Sequence, residues 1–110
     1  MSKSVILLVL ALAALLEAGG DALVRMGLHS SAVGPRLLFF LTGGAVLFLY
    51  GWTVNSPPWD FGRLLGLYVV FFFLFAQAIS WAVFHQKPSA TLLIGGAFIA
   101  VGGLIISLAS

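Results

Sequence analysis

The chain opens on an apolar run that is broken by a single acid. From Ser4 to Leu16 no residue carries a charge; then comes Glu17, with Asp21 and Arg25 following at intervals of four. In a helix that spacing stacks all three on neighbouring turns of one face. A segment of about 4–26 rises roughly 34 Å at 1.5 Å per residue, enough to cross a bilayer with some tilt. Glu17 then stands roughly 20 Å from the start of the span, inside the hydrocarbon. A charged side chain at that depth costs about 3 kcal/mol to insert, so such residues mark ion or substrate paths. Any fold of this chain has to accommodate that carboxyl group.

The remaining sequence repeats the theme without the acid. Of 110 residues, 62% are apolar and 7% charged, too few charges to cover a water-soluble surface. Mean hydropathy is +1.19. The expected fold class is therefore an all-α membrane protein with four transmembrane helices in a single domain, residues 1–110. The helices are expected at about 4–26, 37–54, 61–84 and 91–108, in a multi-pass protein of the cell inner (plasma) membrane. Gly27 to Pro35 reads as a loop, and Asn55 to Asp60, with two prolines, as a breaker whose Asp60 can cap the next helix. Lys3 and the Val5–Leu16 run also fit a signal peptide, but Glu-Ala-Gly-Gly-Asp supplies no cleavage site, so the segment is read as a span.

Several function classes drop out. No cysteine is present, so disulfides and thiolate metal sites are excluded. His29 and His85 fall in loops without ligand spacing, and no metal or other cofactor is expected, a proton aside. No nucleophile–base pair suggests an enzyme. A net charge of +2, scattered, does not fit nucleic-acid binding.

Four sets of residues carry the functional reading. Glu17 is the expected proton and substrate carboxylate: neutral it is cheaply buried, ionised it needs a cation. Asp21 lies nearer the interface, where an ion pair with Arg25 is expected. Ala13, Ala14 and Gly20 leave clearance beside Glu17 for another helix or a ligand. In the fourth span Gly96, Ala100, Gly103 and Ser107 form a small-residue stripe, read either as packing within the chain or as a dimer interface. Tyr50 and Trp52 read as an interfacial aromatic belt. Four short helices enclose little volume, so a substrate chamber calls for two chains. Lys3 and Arg63 on one side face Arg25, Arg36 and Lys87 on the other, a balance that permits insertion both ways.

Along nearly its whole length the chain resembles the small multidrug resistance family of the drug/metabolite transporter superfamily. The resemblance rests on Glu17 to Arg25, on Ser80 to Lys87, and on Leu93-Ile-Gly95 with Gly102-Gly103. It implies an antiparallel, dual-topology homodimer in the lipid bilayer that exports a small organic or guanidinium-type cation in exchange for protons. Glu17 would bind proton and substrate in turn, and Tyr68 would stand where the family has a tryptophan beside that acid. The sequence departs from the family at Tyr68, at Val70 and Phe72 where a Gly-x-Gly hinge is usual, and at Asp21 in place of a small neutral residue. The alternative reading is an accessory or structural membrane subunit that does not itself transport, or half of a heteromeric lipid-carrier flippase.

Overall fold

The computed structural model describes all residues, 1–110, as four helices: α1 (Lys3–Leu28), α2 (Val33–Val54), α3 (Phe61–Phe84) and α4 (Ala90–Leu108). Each is long and apolar enough to span a membrane. The caps follow local chemistry. Ser2 accepts from the Val5 amide at 3.3 Å and Ser89 from the Leu92 amide at 3.1 Å, each satisfying an otherwise orphaned first-turn donor. Asp60 occupies the position before α3, but its side chain makes no capping bond. The expected loop from Gly27 to Pro35 is shorter than predicted. Helix α1 runs on to Leu28, and Gly34, Pro35 and Arg36 lie in the first turn of α2. Proline is tolerated there because a first-turn N–H has no partner within the helix.

α3 ends on His85, whose backbone is left-handed (φ 57°). The His85 and Gln86 amides both reach back to the Ser80 carbonyl, the latter at 3.0 Å, so the last turn is wider than an α-turn. Glycine is the usual residue at this position, since a Cβ is disfavoured there by about 1–2 kcal/mol.

Helices α1 and α2 run antiparallel and cross where Gly20 meets Gly43. A Cβ on Gly43 would lie 3.1 Å from the Gly20 carbonyl oxygen and 2.9 Å from a Val24 methyl. A Cβ on Gly20 would lie 2.8 Å from the Leu47 side chain. The room that Gly20 leaves is taken by another helix, α2. α3 also packs on α1, and α4 packs on α3. Gly96 and Gly103 are buried against Phe73 and Val70 of α3, whose side chains fill the space a Cβ would need. These two glycines therefore serve packing within the chain, the first of the two readings open for the stripe. Ala100 is exposed on the same helix, and the Ser107 carbonyl receives the Lys3 ammonium. That contact satisfies a C-terminal carbonyl of α4 and holds both chain ends on one side.

The assembly is a slab rather than a closed bundle. It extends 49 × 34 × 18 Å, and its radius of gyration of 15.3 Å exceeds the ~13 Å of a compact domain of this size. The core is one cluster of Ile6, Leu10, Ala13, Ala14, Val54, Leu64, Leu67 and Tyr68, lying among the N-terminal half of α1, the C-terminal end of α2 and the first half of α3. The large apolar side chains of α4, such as Ile94, Phe98, Val101 and Leu108, point outward, as lipid-facing surface does.

Gly43→Ala is expected to destabilise the protein by about 1–3 kcal/mol, because the new methyl is wedged between the stiff Val24 side chain and the Gly20 carbonyl oxygen. Gly44→Ala meets open space and should be neutral or stabilising by up to about 1 kcal/mol. Reversible unfolding of both variants in mixed micelles checks the pair, and equal effects would refute the assigned crossing.

Candidate functional site

The site begins with the periodicity of α1. Leu10, Ala13, Ala14 and Glu17 share one face by three- and four-residue steps, and the first three are fully buried. Glu17 is half-buried at the inner edge of that core. Its Oε1 accepts a hydrogen bond of 2.8 Å from the Tyr68 hydroxyl of α3. The same hydroxyl lies 3.4 Å from the Ala13 carbonyl oxygen. Alanine at position 13 matters here, since a larger side chain would keep the phenol from the α1 backbone. At Ala13 the neighbouring group is the Tyr68 phenol of α3.

A phenol has one proton to donate and faces two acceptors. With Glu17 ionised, the short charge-assisted bond to the carboxylate holds it. With Glu17 protonated, the carboxyl group can itself donate to the phenol oxygen, freeing the Tyr68 proton for the Ala13 carbonyl. The geometry thus offers the Tyr68 proton two acceptors, one of which changes with the charge of Glu17.

α2 contributes a residue that the sequence reading placed elsewhere. Tyr50 is half-buried with its ring packed against Tyr68, centroids 5.6 Å apart at 31°. Phe72 also packs on Tyr68, with centroids 6.3 Å apart and the rings stacked. Three rings from two helices thus form a cluster centred on Tyr68, the ring bonded to the carboxylate, and their faces suit a cation. The expected interfacial role fits Trp52, which is 73% exposed, and does not fit Tyr50. A signal for Tyr50 was present. If Gly43 marks the crossing with Gly20, then Tyr50, seven residues on, is level with Ala13, seven residues back.

Below Glu17 a cleft of about 260 Å³ separates α1 from α3. Asp21 and Arg25 line one wall, and Phe72, Ser80, Phe84 and Gln86 lie across from them. The expected Asp21–Arg25 ion pair is not formed. Arg25 does not close on Asp21 within 4.0 Å; its guanidinium lies over the Phe84 ring, 5.2 Å from the centroid. Cation–π attraction and the open cleft between the helices offer it a better seat than an exposed pairing worth a few tenths of a kcal/mol, about 0.3–0.5 for such pairs. Asp21 is therefore an exposed acid in the cleft, one turn from Glu17 and without a salt bridge to Arg25. Ser80 and Gln86 are tied together by the Ser80 hydroxyl, which donates to the Gln86 carbonyl at 3.3 Å.

Four membrane-spanning helices, with a carboxylate–phenol pair and a cluster of rings between three of them, define a polytopic membrane protein built around an intramembrane acid. The whole chain, residues 1–110, matches the family described as "Uncharacterised BCR, YnfA/UPF0060 family", and it belongs to that family. A UPF0060 membrane protein of Herpetosiphon aurantiacus is 32% identical over 107 residues, covering 94% of this chain and 92% of the relative. A UPF0060 membrane protein of Staphylococcus aureus strain JH9 is 36% identical over 101 residues, covering 90% of each. No solved structure matches the chain.

Tyr68→Phe is expected to lower stability by about 1–2 kcal/mol, through loss of the bond to Glu17 and the stranding of the carboxylate. Tyr68→Phe combined with Glu17→Gln should cost less than the two single changes added together. A double-mutant cycle on unfolding in mixed micelles measures this coupling, and strict additivity would refute the pair.

Proposed function

We propose that this protein is a transporter resembling the small multidrug resistance proteins, exporting a small organic or guanidinium-type cation in exchange for protons at Glu17. The observation that carries the reading is the state of Glu17 itself. Its carboxylate is fixed by one phenol on one side, yet is half-open on the other, near the middle of a span. A carboxylate in that position cannot rest against hydrocarbon; it needs a proton, a cation or a second polypeptide. The cluster of Tyr50, Tyr68 and Phe72 offers π faces to a cation.

The slab shape supports a dimer in the inner (plasma) membrane. A single chain 18 Å thick encloses no chamber at Glu17, and a second, antiparallel copy would supply the missing wall. Near-equal positive charge on the two sides favours insertion in both orientations. Within the chamber, proton and cation compete for the same carboxylate. The Tyr68 bond, made to Glu17 or to Ala13 according to charge, couples that competition to the α1–α3 contact. One charge crossing is worth about 2.3 kcal/mol per 100 mV, which suffices for modest accumulation against a gradient.

Proton release on adding guanidinium, or a larger organic cation, to the purified protein tests the reading. Release is expected in the wild type, with cation binding that strengthens as pH rises, because fewer protons then compete for Glu17. Glu17→Gln should abolish both. Release that survives Glu17→Gln would show that another acid carries the exchange. A wild type that binds no cation would favour the accessory-subunit reading. Topology is tested separately: reporters fused after Ser110, one active on each side of the membrane, should both give signal.

A further inference from the structure

The α1–α3 cleft is a polar feature in its own right. Ala18 and Phe72 mark its inner end, and Arg25, Phe84 and Gln86 its outer end. Ala18 and Arg25 are seven residues apart, so the wall is roughly 10 Å long at 1.5 Å per residue. Arg25 lies three residues before the end of α1, and Phe84 is the last residue of α3. The cleft therefore opens at the membrane interface on the Leu28 side and reaches in toward the middle of the span. On the opposite side of Glu17 the way is closed by Ile6, Leu10, Leu64 and Leu67, each at most 4% exposed.

Two charges of opposite sign sit on one wall of this cleft, one helical turn apart, with their Cβ atoms roughly 6 Å from each other. They do not neutralise each other, since Arg25 is drawn to the Phe84 ring. The order of charge is fixed: the acid is the inner group and the base the outer one. The only other charge on α1 below Lys3 is Glu17, which is engaged by Tyr68 and does not line the cleft.

We propose that this cleft is a binding site for a small two-ended solute, cationic at one end and carrying a carboxylate or similar acceptor at the other. The cationic end meets Asp21 with the Phe72 ring beside it, and the anionic end meets Arg25. Arg25 has a planar fork of donors suited to a carboxylate. A simple cation would have to pass Arg25 to reach Asp21, whereas a two-ended solute gains from both groups. The volume of about 260 Å³ falls just below the ~300–1,000 Å³ of sites for drug-sized ligands, so the occupant is of metabolite size. The site borders the exchange proposed at Glu17 through the Phe72 ring, but it does not rest on that exchange.

The absence of native cysteine makes a direct test available. Ala76 lines the cleft, so Ala76→Cys in the full-length, reconstituted protein places one thiol there. Its labelling by an uncharged maleimide is followed with guanidinoacetate, guanidinium or acetate present. Guanidinoacetate is expected to slow labelling at concentrations where the other two do not. Asp21→Asn and Arg25→Gln should each raise the guanidinoacetate concentration needed by about tenfold, the loss of one charge-assisted bond. Asp21→Glu and Arg25→Lys keep the charges and should retain part of the protection, which distinguishes a lost contact from a misfolded chain. The same protection is expected in a Glu17→Gln background, so failure of the exchange at Glu17 leaves this result unaffected. Guanidinoacetate protecting no better than guanidinium or acetate would overturn the proposal. Sensitivity to only one of the two charge removals would also overturn it, leaving a one-ended ion site.

Discussion

The hydrogen bond between the Tyr68 hydroxyl and Glu17 is the interaction on which the rest of the structure turns. A carboxyl group in the middle of a membrane span is costly unless something meets it. Here a phenol does, and the demand shapes its neighbours. Ala13 and Ala14 are small enough for α3 to approach α1 at that level, and Tyr68 is buried to 4% exposure as a result. Tyr50 and Phe72 then pack on its ring and tie α2 and α3 into the same cluster. The polar group is also where the apolar core ends. On its N-terminal side α1 and α3 are sealed by aliphatic side chains, and on its C-terminal side they part around a polar cleft.

The other contacts follow from what holds helices together in lipid. Burying apolar surface gains little where the solvent is itself apolar, so close backbone approach and satisfied polar groups decide the packing. Gly20 against Gly43 brings α1 to α2, and Gly96 and Gly103 receive Phe73 and Val70 to bring α4 to α3. The result is a thin, open slab with α4 at one edge. A shape of this kind explains why Glu17 remains half-open, and why a partner surface is needed to complete any chamber around it.

Charged residues outside the core find aromatic seats rather than ion pairs. Arg63 stands over Trp59 at 4.4 Å, Arg36 over Phe40 at 5.6 Å, and Arg25 over Phe84 at 5.2 Å. Guanidinium groups near helix ends can lay their planes on ring faces while reaching toward the interface. For Arg25 the consequence extends beyond its own position, because Asp21 loses the partner that helical spacing would have given it.

The sequence by itself determined the four spans, their approximate ends, and the singular position of Glu17. These depend on length, hydropathy and the cost of charge in hydrocarbon, all of which are local properties. Tyr68 could be named beside Glu17 only through a family resemblance, and Tyr50 was read as interfacial. The tertiary structure decided which side of each helix faces which neighbour. In water, a polar stripe reveals the outer face of a helix; in α2 and α4 nearly every face is apolar, so the pattern does not say which glycine packs and which meets lipid. Gly43 and Gly44 are adjacent in sequence, yet one lies against a helix and the other meets open space. The fate of Asp21 was likewise undetermined by the spacing to Arg25, because the competing seat on Phe84 comes from a residue nearly sixty positions away and exists only once α3 has docked.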